Sequence, residues 1–254
     1  MMDAALILAG AGWRVLPCWP DAGSQAKAPI GTVVPHGLRE ATADPVTIRG
    51  WWQRYPSALV GAVVPDHLTV LDIDPRNGGS IAAVEELTGR LPATLTVWSG
   101  RGDGGCHRYY RTPVGLDPTG TRLPDGVDLR KGARSYCIMP PSIHPDAGDP
   151  YRWDRDRMAQ APMPPGLVAL LTPAQRVPWS GAPVTDKRVA AWLRMIREAP
   201  DGRRNETLFT VACWAVESGA IESQEGELLH AATDAGLDQR EAARTVQSAV
   251  RRVS

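Results

Sequence analysis

Two carboxylates close a β-branched apolar run in Leu68-Thr69-Val70-Leu71-Asp72-Ile73-Asp74-Pro75-Arg76-Asn77-Gly78-Gly79. Side chains alternate faces along a strand, so Asp72 and Asp74 are expected on one side while Leu71 and Ile73 enter the core. Neighbouring acids repel, and a fold keeps them together chiefly when a cation lies between them. A divalent-metal site is the leading chemistry for this stretch. The alternative is a plain turn, in which the acids of Asp-Pro-Arg-Asn-Gly-Gly satisfy turn backbone.

Downstream, a glycine-rich loop at 100–105 precedes Cys106-His107-Arg108-Tyr109-Tyr110-Arg111, whose alternation puts His107, Tyr109 and Arg111 on one strand face. Glycines before a strand bearing His and Arg let backbone approach a phosphate closely, although the spacing matches neither a Walker A loop nor a Rossmann fingerprint. A third carboxylate, Asp128, stands in the short strand Val127-Asp128-Leu129-Arg130. It can cap a turn or pair with Arg130. If it reaches the side of Asp72 and Asp74, three acids suffice for an octahedral oxygen site with room for water and substrate phosphates. Arg101, Arg108, Arg130 and Lys131 stand near these motifs as guides for template or triphosphate, or as ordinary solvated charges. Lys27, the cation of the Gly/Pro/Ser-rich loop 20–35, is a provisional phosphate contact, and His144 beside Pro145 has a structural reading as well.

These groups must be positioned by a mixed set of elements. Helical spacing is expected at 2–11, at 45–55 behind the Asp44-Pro45 start signal, and at 80–90. The tryptophans at 51 and 52 read as core packing. Apolar runs at 13–19, 58–64, 68–74, 92–99, 106–111, 126–130, 135–139 and 151–153 read as strands. Pro65-Asp66-His67 is expected to join 58–64 and 68–74 as neighbours. Prolines at 162, 164, 165, 173, 178 and 183 mark a linker over 161–184, with one short helix at 167–171. Beyond it four apolar stripes repeat with helical period, from Val189 to Val250. The domains expected are therefore 1–160, the linker, and a helical bundle over 185–254. Arg203, Arg204 and Asn205 sit where the second helix of that bundle begins, a place where amide groups and the helix dipole favour an anion, or a solvated turn.

The chain carries 28 Lys+Arg against 28 Asp+Glu over 254 residues. No global charge advertises a polyanion, so nucleic-acid binding would rest on a local groove. Four scattered cysteines without a Cys-x-x-Cys pair read as buried reduced thiols. The apolar stretch 4–12 is too short to span a bilayer and has no basic lead, so the expectation is a cytoplasmic protein with no membrane partner.

Taken in order, Lys27-Ala28-Pro29, Asp72-Ile73-Asp74, Gly104-Gly105-Cys106-His107-Arg108-Tyr109, Val127-Asp128 and Pro140-Pro141-Ser142-Ile143-His144-Pro145 resemble the bifunctional primase/polymerase (prim-pol) family of the archaeo-eukaryotic primase superfamily. The resemblance covers residues 1 to about 153. The C-terminal region resembles the helical domain that often follows such catalytic domains, through Gly202-Arg203-Arg204-Asn205. It implies an α+β fold: an RRM-like antiparallel or mixed sheet joined to a small α/β unit, with the active site in the cleft between them, followed by an all-α bundle. It also implies that Asp72, Asp74 and Asp128 hold Mg²⁺ or Mn²⁺ and that His107 meets the nucleotide's phosphates. Arg130, Lys27, Ser142 and His144 are then further nucleotide contacts, and Arg203, Arg204 and Asn205 meet template or initiating nucleotide. The partners implied are single-stranded DNA and nucleoside triphosphates. With no Walker A motif in the chain, a replicative helicase would be a separate partner or a missing portion. Two rival readings are a metal-dependent nucleotide-sugar transferase, which also uses Asp-x-Asp at a strand end, and a non-catalytic single-stranded nucleic-acid-binding module.

Overall fold

A computed structural model describes residues 1–120, 122–156, 159–172 and 179–253. Contacts divide the chain into two units, Met1–Pro173 and Ala174–Ser254. In chain order the first unit contains α1 (Met2–Gly10), β1 (Val15–Cys18), α2 (Pro45–Arg54), β2 (Leu59–Val63), β3 (Leu68–Ile73), α3 (Ile81–Thr88), β4 (Thr96–Trp98), β5 (Cys106–Arg111), β6 (Val127–Lys131), β7 (Tyr136–Met139), β8 (Arg152–Trp153), β9 (Ala161–Pro162) and α4 (Pro165–Leu171). The Asp44-Pro45 start signal acts as expected, and in the folded chain Ser80 caps α3 in the same way. The Asp44 carboxylate accepts the Thr47 N–H at 2.8 Å, and the Ser80 hydroxyl accepts the Ala83 N–H at 3.0 Å, satisfying donors that a helix leaves open.

Among the described residues the strands of this unit form two sheets. One has the order β1-β2-β7 and is antiparallel; the other runs β6-β3-β5-β4-β8, also antiparallel, with β9 added parallel to β5. The α+β fold class is thus as the sequence implies. One pairing differs. The runs on either side of Pro65-Asp66-His67 are not partners: β2 lies between β1 and β7, whereas β3 lies between β5 and β6. Both runs are buried on both faces, so they lack the alternation that would reveal a pairing partner, and the turn carries the chain from one sheet to the other.

The second sheet separates two cores. Leu68, Val70 and Tyr109 join Trp13, Trp52 and the strands of the first sheet on one side. Leu71, Ile73, Cys106 and Tyr110 meet Val84 of α3 and Leu167 and Leu171 of α4 on the other. Trp51 and Trp52 are packing residues, 8% and 2% exposed, and the Trp52 indole N–H donates to Ala58 O at 3.0 Å. The proline-rich stretch expected as a linker from 161 is folded over its first part. β9 pairs with β5, and α4 packs so closely on α3 that a Cβ at Gly166 would lie 1.9 Å from Thr88 O. Residues 173–178 of that stretch lie outside the described residues.

The second unit consists of α5 (Asp186–Arg197), α6 (Arg204–Glu217), α7 (Ile221–Asp234) and α8 (Gln239–Val253). Its core joins Trp192 and Ile196, Leu208 and Val211, Leu228 and Ala232, and Ala242 and Val246, the four stripes read from the sequence. No helix among the described residues is long and apolar enough to cross a membrane.

Candidate active site

β3 ends at Ile73 because Asp74 leaves the ladder. Its N–H bonds Gly126 O at 2.8 Å, and Pro75 starts a one-turn 3-10 helix that Asp74 caps. Its carboxylate accepts Arg76 N at 3.1 Å, Arg76 Nη2 at 3.3 Å and Asn77 Nδ2 at 3.0 Å. The turn reading of this tract is therefore correct for Asp74, although Asp74 still lines the pocket described below. Gly79 and Gly126 hold the loops on either side together: a Cβ on Gly79 would fall 2.1 Å from Gly126 O. This clasp sets the start of β6, and with it Asp128.

Register then builds a row. Asp72 on β3 stands directly opposite Asp128 on β6 and directly opposite His107 on β5. Directly opposed residues share a face, so Asp128, Asp72 and His107 lie side by side, on the same face as Val70 and Tyr109. Arg130, two residues along β6, shares that face and donates Nε to Asp72 Oδ2 at 2.7 Å, with Nη2 also at 2.7 Å. His107 Nε2 is 3.5 Å from Asp72 Oδ1. Asp128 is the outlying member, its side chain 81% exposed and its carboxylate 4.0 Å from Arg130.

The row forms one wall of a pocket of about 240 Å³ whose other walls include Lys27, Arg76, Arg101, Tyr136 of β7, His144 and Tyr151. The pocket lining also carries the cations Lys27, Arg76, Arg101 and Arg130. Lys27 Nζ lies 2.9 Å from His144 Nε2, and Arg101 Nε donates to the same nitrogen at 3.0 Å. Arg101 also pairs with Asp146 at 2.5 Å. Among the described residues Lys27 is the non-glycine residue with positive φ, at 66°. That strained backbone is held by the Tyr136 hydroxyl, which donates to Lys27 O at 2.9 Å, and by the Lys27 N–H on Trp19 O at 3.0 Å. The Tyr151 ring is stacked between His107 and His144, at centroid distances of 6.0 and 5.6 Å.

Burial sets the protonation of both histidines. It drives the His107 imidazolium below its ordinary range against the pull of Asp72, so His107 is neutral at pH 7. Burial, then Lys27 and Arg101, push His144 down to about 4. Burial acts to raise the Asp72 carboxyl, but the adjoining His107, Arg130 and Lys27 outweigh it and hold Asp72 below the usual carboxylate value. Of these, Arg130 acts both through its charge and through its hydrogen bond to Asp72. Burial and the nearby Arg101 also lower Lys27.

The residues expected in the site are therefore not all in it. Asp72, Asp74, Asp128, His107, Arg130, Lys27 and His144 share the pocket. Ser142 does not line it; it is fully buried and its hydroxyl accepts the Val60 N–H at 2.8 Å, tying the 141–151 loop to β2. Arg101 and Arg130 reach the pocket. Arg108 points to the opposite face and donates to Pro92 O at 2.8 Å, and Lys131 pairs with Asp117 at 2.5 Å. The three carboxylates are not drawn into a ready metal cluster: among the described residues no group of three or more His, Cys, Asp or Glu stands close enough to share an ion. Arg130 holds Asp72, and Arg76 with Asn77 holds Asp74. As a donor set, three carboxylates on one pocket wall nonetheless fit a hard divalent cation, which takes oxygen ligands. Tyr136, Tyr151 and Arg76 were not foreseen as pocket residues. Tyr151 carries no local signal beyond its place in an edge strand, because the sandwich it enters joins segments far apart in the chain. In the helical unit, Arg204 pairs with Asp201 at 2.5 Å and Arg203 with Glu206 at 3.5 Å, while Asn205 Oδ1 accepts from Thr245 Oγ1 of α8. Asn205 thus joins two helices. The four cysteines are buried, with no disulfide among the described residues.

Residues 5–165 match the family model of the bifunctional DNA primase/polymerase N-terminal domain, and residues 193–254 match that of the primase C-terminal 1 domain. The chain belongs to the bifunctional DNA primase/polymerase family, and its two matched regions are of the DNA primase and polymerase type. No curated protein matches the chain.

Proposed function

We propose that this protein is a template-directed nucleotidyltransferase that makes primers on single-stranded DNA from nucleoside triphosphates, and that its catalytic pocket is the one bounded by Asp72, Asp128 and His107. The observation that carries this reading is the cross-strand row Asp128–Asp72–His107, which lines one pocket together with the cations Lys27 and Arg101. Nucleotidyl transfer needs both kinds of group: carboxylates where the 3′-hydroxyl attacks, and cations where pyrophosphate departs. Asp72, Asp74 and Asp128 would hold Mg²⁺ or Mn²⁺, which would supply hydroxyl activation and charge neutralisation. Lys27 and Arg101, both anchored on His144, bind and orient the polyphosphate. His107, neutral and buried, donates a hydrogen bond to a phosphate oxygen or to Asp72. We assign catalysis to the first unit and template or initiating-nucleotide contact to 185–254 through Arg203 and Arg204. A helicase would act as a separate partner.

The test is to incubate the full chain with single-stranded DNA, labelled ribo- and deoxyribonucleotides, and Mg²⁺, Mn²⁺ or chelator. Metal-dependent oligonucleotide product is expected. Binding of DNA without product under any of these conditions contradicts the reading and favours a non-catalytic binding module.

A further inference from the structure

Arg130 stands where two carboxylates would otherwise face each other uncompensated. Asp72 and Asp128 are directly opposed on β3 and β6, an arrangement that destabilises a sheet when both are charged. The Arg130 guanidinium reaches between them: Nε and Nη2 lie 2.7 Å from Asp72 Oδ2, and Nη2 lies 4.0 Å from Asp128 Oδ2. That places the guanidinium between the two acids, and two N–H groups on Asp72 Oδ2 make that oxygen a poorer ligand for a divalent ion.

We propose that Arg130 is the resident counter-ion of the metal site, competing with the divalent cation for Asp72 and releasing that carboxylate when the site is loaded. The proposal rests on the assignment of Asp72 and Asp128 as cation ligands. Asp72 is 18% exposed at its side chain, so without metal it needs a partner, and Arg130 supplies one. The Arg130 side chain is 37% exposed, which gives the guanidinium a way out into the pocket without unpacking the sheet. An arginine suits this place better than a lysine because its planar fork engages the carboxylate through two N–H groups. The consequence is a protein that keeps its acids paired when metal is scarce, at the expense of intrinsic metal affinity.

The experiment is a calorimetric titration of the full chain with Mn²⁺ in the absence of nucleotide, for wild type, R130Q, R101Q and D72N. R130Q is expected to bind Mn²⁺ about tenfold more tightly than wild type, the size of one charge-assisted hydrogen bond no longer displaced. R101Q removes a cation from the same pocket that touches His144 and Asp146 but not Asp72; its affinity is expected to stay within about threefold of wild type, since a screened field acts weakly. Melting provides a second readout: metal-free R130Q melts below wild type, and saturating Mn²⁺ raises its Tm by more. Should R130Q not fold, R130K retains a point charge and is expected to tighten Mn²⁺ binding by less than tenfold but measurably. Equal or weaker Mn²⁺ binding by the Arg130 variants, or equal tightening by R101Q, overturns the proposal. Wild-type binding that D72N does not weaken removes the ligand assignment beneath it, a different result from Asp72-dependent binding that ignores Arg130.

Discussion

Asp72 and His107 face each other across β3 and β5, with Oδ1 3.5 Å from Nε2, and the other ring nitrogen of His107 is buried with no hydrogen-bond partner among the described residues. A buried ring nitrogen left unpaired costs free energy, and such groups are found at functional sites. In His107→Asn, nucleotide incorporation is expected to fall about a hundredfold, the usual scale for a positioned proton-bearing group, while Mn²⁺ binding persists. Wild-type incorporation by this variant would remove His107 from the chemistry.

His144 makes stability depend on pH. Its folded value is pushed down to about 4 by burial and by Lys27 and Arg101, against about 6.5 in an unfolded chain. Between those values the unfolded chain binds the proton and the folded one does not, so stability is complete above about 6.5 and is lost as pH falls toward 4. Melting temperature should drop across that window, and the drop should be shallower in His144→Gln. A profile unchanged by the substitution contradicts the account; His107, lowered by burial in the same sense, leaves a residual slope.

Lys27 and Arg101 converge on one nitrogen of His144. Replacing either with alanine should raise the KM for nucleotide about tenfold or more, one charge-assisted contact apiece, with little change in single-stranded DNA binding measured without nucleotide. If both constants move together, these cations serve the template instead.

Ser142→Ala separates scaffold from site. Losing the acceptor of the buried Val60 N–H should destabilise the first unit by about 1–3 kcal/mol, read as a lower urea midpoint, with nucleotide KM unchanged at temperatures where the variant is folded. A raised KM with normal stability would restore Ser142 as a nucleotide contact.

Much of this architecture can be read from residue pattern, for local reasons. Asp44-Pro45 writes a helix start into the chain, and the stripes from Val189 to Val250 write helix faces. Asp128 and His107 could be named from motif order, yet their adjacency to Asp72 is a matter of register, which two-sided burial of β3 conceals. Asp74 needed both of its readings, since a carboxylate that caps a turn can also border a pocket. Ser142 and Asn205 show the limit of motifs, because only the folded chain reveals that Val60 and Thr245 use their polar atoms. Tyr151 reads only as part of the run 151–153, and its place between two histidines distant in sequence comes from the fold.

The most direct test is primer synthesis by Asp128→Asn. The Asp128 side chain is 81% exposed and its one ion-pair partner among the described residues is Arg130, at 4.0 Å, so the substitution should leave stability within about 0.5 kcal/mol and any loss of product reports chemistry. With single-stranded DNA, labelled nucleotides and Mn²⁺, the account predicts no detectable product from Asp128→Asn, as from Asp72→Asn, beside abundant product from wild type. Near-wild-type synthesis by Asp128→Asn would contradict it.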